Sequence, residues 1–497
     1  MFEQHFPDDR RRILMRTLKG RTFSYMEALD ETARIARSLT DLGLRPGDRV
    51  TVQVEKSPQA VWLYLACLRA GFVYHPMNTD YQLDELVYFV ANAEPSAIVC
   101  DPSKAQLFTE LTKNKHCEVL TMDADGEGTL SDAIQETPPE FETVARKASD
   151  LAVLLYSSGT TGAPKGAMLS HSNLSINTLT LVKSWGFTPT DRLLHTLPIY
   201  HAHGLFVAIG CVMMSGCSMN FLPRFKTDDV IRALPDCTVM MGVPTFYTRL
   251  LADNRLTRDL CTNMRLFISG SAPLLAESFL RFQEHTGHAI LERFGMTESS
   301  MNASNPLDGE RRPGSVGPAL PGVNLRVVND AGQEMPAGET GHLQVKGPNV
   351  FSGYWRMREK TAAEFTDDGY FKTGDEAFIE SDGYVTIVGR TKDMIISGGL
   401  NVYPREVEIL LDSLPEVAES AVIGVPHQDF GEGVIAIVVP IMGKQLSGSI
   451  LISRIRSKMA TYKLPKQVFI IDKLPRNSMG KVQKNMLREQ YEDTFKP

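Results

Sequence analysis

The residues best suited to chemistry stand together in one short stretch, residues 156–166, which has the sequence YSSGTTGAPKG. An apolar run before it, residues 151–155, predicts a buried strand. Small hydroxylated residues and glycines allow backbone N–H groups to close around phosphate oxygens, and a lysine adds a positive charge on a flexible stem. The stretch therefore predicts a phosphate-binding loop. Its candidate contacts are Ser157, Ser158, Gly159, Thr160, Thr161, Gly162 and Lys165.

Two other interpretations of this stretch are weaker. A Walker P-loop ends in Gly-Lys-Ser or Gly-Lys-Thr, whose hydroxyl holds magnesium, whereas Lys165 lies between Pro164 and Gly166. A flexible surface loop of Ser and Gly is the remaining alternative, but it does not explain a lysine at the end of a hydroxyl-rich turn.

The stretch resembles the phosphate-binding loop of the adenylate-forming enzymes, which include acyl-CoA synthetases, adenylation domains and firefly-type luciferases. The resemblance extends from about Phe23 to Arg488. It implies two half-reactions. A carboxylate attacks the α-phosphorus of ATP to give an acyl-adenylate and pyrophosphate, and the thiol of coenzyme A then displaces AMP. The implied cofactors are ATP, Mg²⁺ and coenzyme A.

The bulk composition is that of an ordinary globular protein, with 43% apolar and 22% charged residues over 497 positions. A chain of this length exceeds one core, so two or more domains are expected. The net charge of −7 without a basic block argues against a nucleic-acid partner. No Cys-x-x-Cys pair, secretory signal or membrane-length apolar run occurs. We expect a cytoplasmic protein with no membrane partner, and the oligomeric state stays open.

The predicted elements favour a layered α/β architecture. Ser24 and Glu27 form a capping box before a helical pattern, and strands alternate with helices up to residue 100. Residues 305–345 are rich in Gly and Pro and predict a β-rich subdomain. The residues after Lys392 predict a small α+β domain. The resemblance implies that Lys392 is the hinge between the two domains. We therefore predict a large ATP- and acid-binding domain, residues 1–391, and a mobile domain, residues 392–497.

Several glycine-containing turns follow predicted strands and bring polar residues to strand ends. From the residues alone, Ser271 and Thr297 could cap helices and Glu298 could be a surface charge. The resemblance instead implies an adenine wall, an α-phosphate contact from Thr297, and magnesium held by Glu298 with Thr161. The nucleotide contacts assigned in this region are Gly270, Ser271, Ala272, Pro273, Arg293, Gly295 and Met296.

Three further groups of residues match positions of the family: a ribose-binding pair, a catalytic lysine and a loop used in the second half-reaction. Asp375 and Arg390 correspond to the ribose-binding pair, for which an exposed salt bridge is the alternative. Lys481, in the stretch PRNSMGK, corresponds to the catalytic lysine, although a solvated tail residue would look similar. The resemblance also implies that rotation about Lys392 brings a loop to the site for thioester formation. Its candidate residues are Gly398, Gly399 and Leu400.

The acid pocket is predicted from two stretches. His201 and His203 flank Ala202, and the lack of a nearby third ligand argues against zinc. The two histidines could form hydrogen bonds with the backbone of the turn, but the resemblance implies that His201 lines the acid pocket. Arg249 shares a helix face with Thr245 just after a strand, which is where open α/β sheets bind ligands, although most helix arginines are only solvated. The predicted acid contacts are His201, Ala202, Arg249, Ser271 and Met301.

Within the superfamily, residues 242–249, 298–306 and 316–323 are most similar to malonyl-CoA synthetases. The sequence thus predicts a malonate–CoA ligase acting on malonate, ATP and coenzyme A. Ala202 is smaller than the threonine common in related malonate enzymes and would admit methylmalonate. The alternatives are a ligase for another short-chain or fatty acid, a stand-alone adenylation enzyme that loads a carrier protein, and a luciferase-like oxygenase.

Overall fold

The computed structural model describes residues 2–113, 115–157, 164–397, 400–427, 430–444, 446–459, 461–477 and 480–496. Its strands are β1 (Ile13–Thr17), β2 (Thr22–Ser24), β3 (Arg49–Gln53), β4 (Val73–Pro76), β5 (Ala97–Cys100), β6 (Glu118–Thr121), β7 (Leu151–Ser157), β8 (Lys165–Ser170), β9 (Arg192–His195), β10 (Ser218–Phe221), β11 (Val239–Gly242), β12 (Leu266–Ser269), β13 (Leu291–Met296), β14 (Ser300–Ser304), β15 (Asn324–Val328), β16 (Gly341–Lys346), β17 (Phe371–Ile379), β18 (Val385–Arg390), β19 (Ile395–Ser397), β20 (Leu400–Val402), β21 (Val417–His427), β22 (Gly431–Pro440) and β23 (Gln467–Ile470).

The α-helices are α1 (Tyr25–Asp41), α2 (Pro58–Ala70), α3 (Leu83–Ala93), α4 (Ala105–Thr112), α5 (Thr129–Gln135), α6 (His171–Ser184), α7 (Gly210–Ser215), α8 (Thr227–Ala233), α9 (Pro244–Leu251), α10 (Ala276–Thr286), α11 (Arg358–Glu364), α12 (Pro404–Asp412), α13 (Gly448–Ile455) and α14 (Lys484–Tyr491). Residues His203–Ile209 form a π-helical segment directly before α7. Such segments often mark functional sites.

Two sheets with mostly parallel strands form the larger part of the molecule. Their strand orders are β14-β13-β12-β11-β9-β10-β1-β2 and β6-β5-β3-β4-β7-β8. The parallel pairs require helical crossovers, which explains the alternation of strands and helices in the sequence. The predicted α/β layers are confirmed, and three strand pairs, β1–β2, β7–β8 and β13–β14, are antiparallel additions.

Local signals explain the helix limits. In α1, Ser24 accepts from the backbone N–H of Glu27, and the Glu27 carboxylate accepts from the backbone N–H of Ser24, as the capping box predicts. The polar composition of residues 123–148, rich in Glu and Thr, predicts a loop, and this prediction is wrong because the segment contains α5. The hydroxyl of Ser131 accepts from the Gly128 N–H and so caps a helix that its polar sequence did not signal.

The remaining sheets follow later in the chain. Strands β15 to β18 form an antiparallel four-stranded sheet, which confirms the predicted β-rich region. The five strands β19 to β23 pack with α12 to α14 around separate apolar clusters, as expected for a small α+β unit. None of the helices in the described ranges is long and apolar enough to cross a membrane.

Candidate active site

The carboxyl ends of β11, β12 and β13 form the edge at which the predicted site residues gather. These three strands are parallel neighbours, so the turns after Gly242, Ser269 and Met296 lie side by side. Helix α10 begins only at Ala276, and a hairpin rather than a helix follows Thr297. The capping role considered for Ser271 and Thr297 is therefore excluded, and both are left facing solvent in part.

The turn predicted to form the adenine wall, residues 270–273, packs against a buried arginine, Arg293. A Cβ added at Gly270 would lie 2.4 Å from Cζ of Arg293, so a glycine is needed for the turn to pass over the guanidinium. The next residue, Ser271, has a positive φ of 71°, an uncommon backbone conformation for a serine. Burial lowers the pKa of Arg293 to about 10. Its Nε and Nη2 have no hydrogen-bond partner among the described residues, so they can donate to a ligand.

Glu298 lies where three elements converge. Its Oε1 accepts hydrogen bonds from the hydroxyl of Ser157, at the end of β7, and from the hydroxyl of Tyr354, each at 3.0 Å. The residue is 6% exposed, which excludes a plain surface charge. One buried carboxylate beside a phosphate loop fits Mg²⁺, which usually takes one or two carboxylates together with substrate phosphates and water. Tyr354 carried no sequence signal and was not predicted.

The phosphate loop itself lies mainly between the described ranges. Ser158, Gly159, Thr160, Thr161 and Gly162 fall outside the described residues. The two ends of the loop are held together because β7 and β8 pair antiparallel, with Ser157 opposite Lys165. The Lys165 ammonium lies 4.5 Å from the centroid of the Tyr354 ring and 3.7 Å from a carboxylate oxygen of Glu364.

Asp375 and Arg390 form an ion pair, which was the alternative interpretation, but its carboxylate is buried rather than exposed. They lie opposite each other in β17 and β18, with Arg390 Nε 2.8 Å from Oδ1 of Asp375. Asp375 is 3% exposed, and its Oδ2 has no partner among the described residues. Burial raises the pKa of Asp375, while Arg390 and then Lys481 act in the opposite direction. A buried acceptor that still needs a hydrogen bond is suited to a sugar hydroxyl.

Lys481 reaches this site from the other side. Its backbone N–H donates to the Asn477 side chain at 2.9 Å. A Cβ added at the neighbouring Gly480 would lie 3.1 Å from the Thr245 hydroxyl, at the start of α9. Lys481 itself is accessible to solvent, but the protein around it desolvates its ammonium and lowers its pKa. The charge of Arg390 lowers this pKa further, and Asp375 opposes the shift.

The histidine loop, residues 197–204, lies next to the adenine wall. The Nδ1 of His203 is 3.3 Å from the hydroxyl of Ser271. The pKa of His201 is lowered to about 3, mainly by burial and also by the charge of Lys481, so its imidazole is neutral near pH 7. Nε2 of both histidines lacks a partner among the described residues. Ala202, between them, packs against the main apolar core.

Arg249 lies on α9 and lines a cavity of about 260 Å³ together with Phe246 and Tyr200. The Tyr200 ring is 4.6 Å from that of His201, so the cavity adjoins the histidine loop. Arg249 is exposed and makes no ion pair within the described ranges. Arg265, by contrast, directly precedes β12, at the opposite end of that strand from the site, and pairs with Asp191 at 2.7 Å.

The remaining predicted site residues are Met301, Gly398, Gly399 and Leu400. Met301 is buried in β14, and a Cβ at Gly295 would lie 2.3 Å from its Cε. It therefore packs under the strand end that leads to Met296. Gly398 and Gly399 fall outside the described residues, and Leu400 begins β20.

The fold and site together are those of an adenylate-forming enzyme, with large α/β sheets, a small C-terminal unit and a lysine brought to the nucleotide edge. The chain matches the AMP-binding enzyme family over residues 2–355 and the AMP-binding enzyme C-terminal domain over residues 406–481. The chain belongs to this family.

Among solved structures, ATP-bound MatB from Rhodopseudomonas palustris is 53% identical, with a TM-score of 0.98, and the match covers 100% of this chain and 99% of that one. The apo structure of the same protein has a TM-score of 0.87 at the same identity and coverage. The chain is thus more similar to the ATP-bound arrangement. The mitochondrial malonate–CoA ligase of Bos taurus is 34% identical over 92% of this chain and 82% of its own length. A feruloyl-CoA synthase from Amycolatopsis is 33% identical over 95% and 94%.

Proposed function

We propose that the protein is an ATP-dependent malonate–CoA ligase, which converts malonate, ATP and coenzyme A to malonyl-CoA, AMP and pyrophosphate. The observation that carries the choice of acid is Arg249. This arginine lines the cavity beside the histidine loop and has no carboxylate partner among the described residues. The 34–53% identity to a malonate–CoA ligase and to MatB supports the same choice.

In the first half-reaction, one malonate oxygen forms a bond to the α-phosphorus as the bond from that phosphorus to the pyrophosphate oxygen breaks. Two anions meet in this step, so positive charge must offset theirs. Lys481 and Lys165 supply it from this chain, and Thr297 and the loop amides orient the phosphates. Magnesium held by Glu298 and Thr161 would supply further charge stabilisation. Neutral His201 can hydrogen-bond the acid without adding a charge.

In the second half-reaction, the sulfur of coenzyme A attacks the acyl carbon and AMP leaves with the bonding electrons. We infer that the domain boundary lies at Lys392 and that rotation there withdraws Lys481 and brings residues 398–403 to the site. Closure also protects the adenylate from water. All seven cysteines are free, which is the state expected in the reducing cytoplasm, and we place the protein there.

The test is a pyrophosphate-release assay over a panel of acids, with detection of the thioester and AMP. Malonate is expected to have the highest kcat/KM, with methylmalonate next, because the small Ala202 leaves room for a methyl group. Propionate or a longer monocarboxylate matching malonate would contradict the proposal. Replacing coenzyme A by a phosphopantetheinylated carrier protein distinguishes a carrier-loading enzyme, and a product other than the thioester would indicate a luciferase-like reaction.

Arg249→Ala is expected to lower kcat/KM for malonate roughly 10- to 100-fold, the usual range for losing a charge-assisted hydrogen bond. The distal carboxylate of malonate would lose its counter-charge, whereas propionate has no such group. The measurement is the malonate-to-propionate ratio of kcat/KM. Arg224, which lines the same cavity, gives the matched control Arg224→Ala. If Arg249→Ala lowers kcat/KM equally for malonate and propionate, this arginine does not bind the second carboxylate.

A further inference from the structure

A lysine that the reaction scheme does not use, Lys56, lies half-buried beside the histidine loop. Nζ of Lys56 lies 2.9 Å from Nδ1 of His195, 3.1 Å from the His195 carbonyl oxygen and 2.6 Å from the Leu222 carbonyl oxygen. No carboxylate pairs with it in the described part of the chain. Burial lowers the pKa of Lys56, but three surrounding acceptors require three N–H groups. Where Nδ1 of His195 accepts, as the contact of its Nε2 with a carbonyl implies, this geometry requires the ammonium form of Lys56.

The second member of this cluster is His195, at the end of β9, which is 1% exposed. Its Nε2 lies 2.9 Å from the Gly204 carbonyl oxygen. A carbonyl can only accept, so Nε2 must carry the hydrogen, and Nδ1 of the neutral ring must accept from Lys56. Burial lowers the pKa of His195, and the charge of Lys56 lowers it further, which opposes a second proton on the ring.

The third member, Gly204, closes the histidine loop. A Cβ added at Gly204 would lie 2.0 Å from the Pro198 carbonyl oxygen, so the loop is packed tightly against its own beginning. The backbone N–H of Leu205 donates to the His201 carbonyl at 3.0 Å. The hydrogen bond from His195 to Gly204 therefore anchors the turn that carries His201. In the other tautomer a bare Nε2 would face a carbonyl oxygen, and the two lone pairs would repel.

We propose that Lys56 is a positioning residue: by donating to Nδ1 it orients the His195 ring so that Nε2–H holds Gly204, and thereby it keeps the histidine loop in the geometry that receives the acid. Lys56 lines the same cavity as Arg249, but its three N–H groups are already engaged, so it acts through His195 rather than on the substrate. The kinetic part of this inference rests on the proposed function, because acid activation is its readout.

The kinetic test is a double-mutant cycle. Lys56→Met is expected to raise KM for malonate roughly 10-fold, the effect of about one lost buried hydrogen bond, and to leave KM for ATP within about 2-fold. In a His195→Gln background there is no imidazole ring for Lys56 to orient, so Lys56→Met should then cost less than about 3-fold. Lys104, which donates to the Thr79 carbonyl at the cavity wall, gives the control Lys104→Met. Equal losses in both backgrounds, or a matching rise in KM for ATP, would overturn the proposal.

The tautomer can be observed without any substrate. In ¹⁵N-histidine-labelled wild-type protein, the resonances lost in His195→Gln should have the shifts of an Nε2–H imidazole. Lys56→Met should move the Nδ1 resonance, because that nitrogen loses the hydrogen bond that it accepts, and an unchanged Nδ1 shift would overturn the proposal. A wild-type Nδ1–H tautomer would overturn the proposal. Failure of the wild-type enzyme to activate malonate would overturn the proposed function alone, since this spectrum does not depend on catalysis.

Discussion

Replacing Lys481 with alanine is expected to lower the rate of acyl-adenylate formation roughly 10²–10⁴-fold, the range for removing a charge that stabilises a transition state. The lysine is brought among Arg390, Asp375 and Glu298, where the acid and the α-phosphate would meet. Thioester formation from supplied malonyl-adenylate should change less than about 3-fold, because rotation removes this loop from the site in that step.

The two half-reactions are measured separately, the first by pyrophosphate exchange and the second by thioester formation in a single turnover. Lys473→Ala, at an exposed lysine of the same domain, is the control. A comparable loss in both half-reactions would show that Lys481 supports the domain rather than the first reaction. Acetylation removes the same charge and should silence the same step.

The lowered pKa of Lys481 predicts how the rate of adenylation changes with pH. The ammonium is the active form, and its desolvation, followed by the charge of Arg390, favours the neutral amine. Adenylation should therefore decline as pH rises through this lowered pKa, earlier than an ordinary lysine would allow.

Lys392→Pro is expected to lower thioester formation roughly 10²-fold or more while adenylation continues, because proline fixes φ and the proposed rotation would require the backbone angles of Lys392 to change. Both neighbours of Lys392 are held in place by side-chain contacts. The Thr391 hydroxyl donates to Glu376 of the large domain at 2.7 Å, and Arg488 of α14 pairs with Asp393 at 2.7 Å. Lys392 is thus the residue between two anchored neighbours.

Thr391 lies in a short 3₁₀ turn, and proline disfavours a helical conformation in the residue before it, so a loss of adenylation of about 3-fold is expected as well. Lys392→Ala removes the side chain but leaves the backbone free, and it should keep both half-reactions. Unchanged overall turnover in Lys392→Pro would place the hinge at another residue.

Local elements were predictable because their signals are local. The capping box at Ser24 predicted where α1 begins, and the apolar run 151–155 predicted β7 to within two residues. The glycine at position 270 was also readable as a turn, although the buried Arg293 beneath it became visible only in the fold. Helix α5 was missed, because its cap uses Gly128 and Ser131 within a polar segment that resembles a loop.

By itself, the sequence determined the residue types of the site, the order of its strands and turns, and the likeness to the adenylate-forming enzymes. Only the tertiary structure decided which of those residues meet. The contact of Tyr354 with Glu298 and that of Lys56 with His195 join positions 56 and 139 residues apart. No spacing rule predicts such pairs, because they depend on how whole sheets pack. The approach of Lys481 to Asp375 depends in addition on how the small C-terminal unit packs against the large sheets.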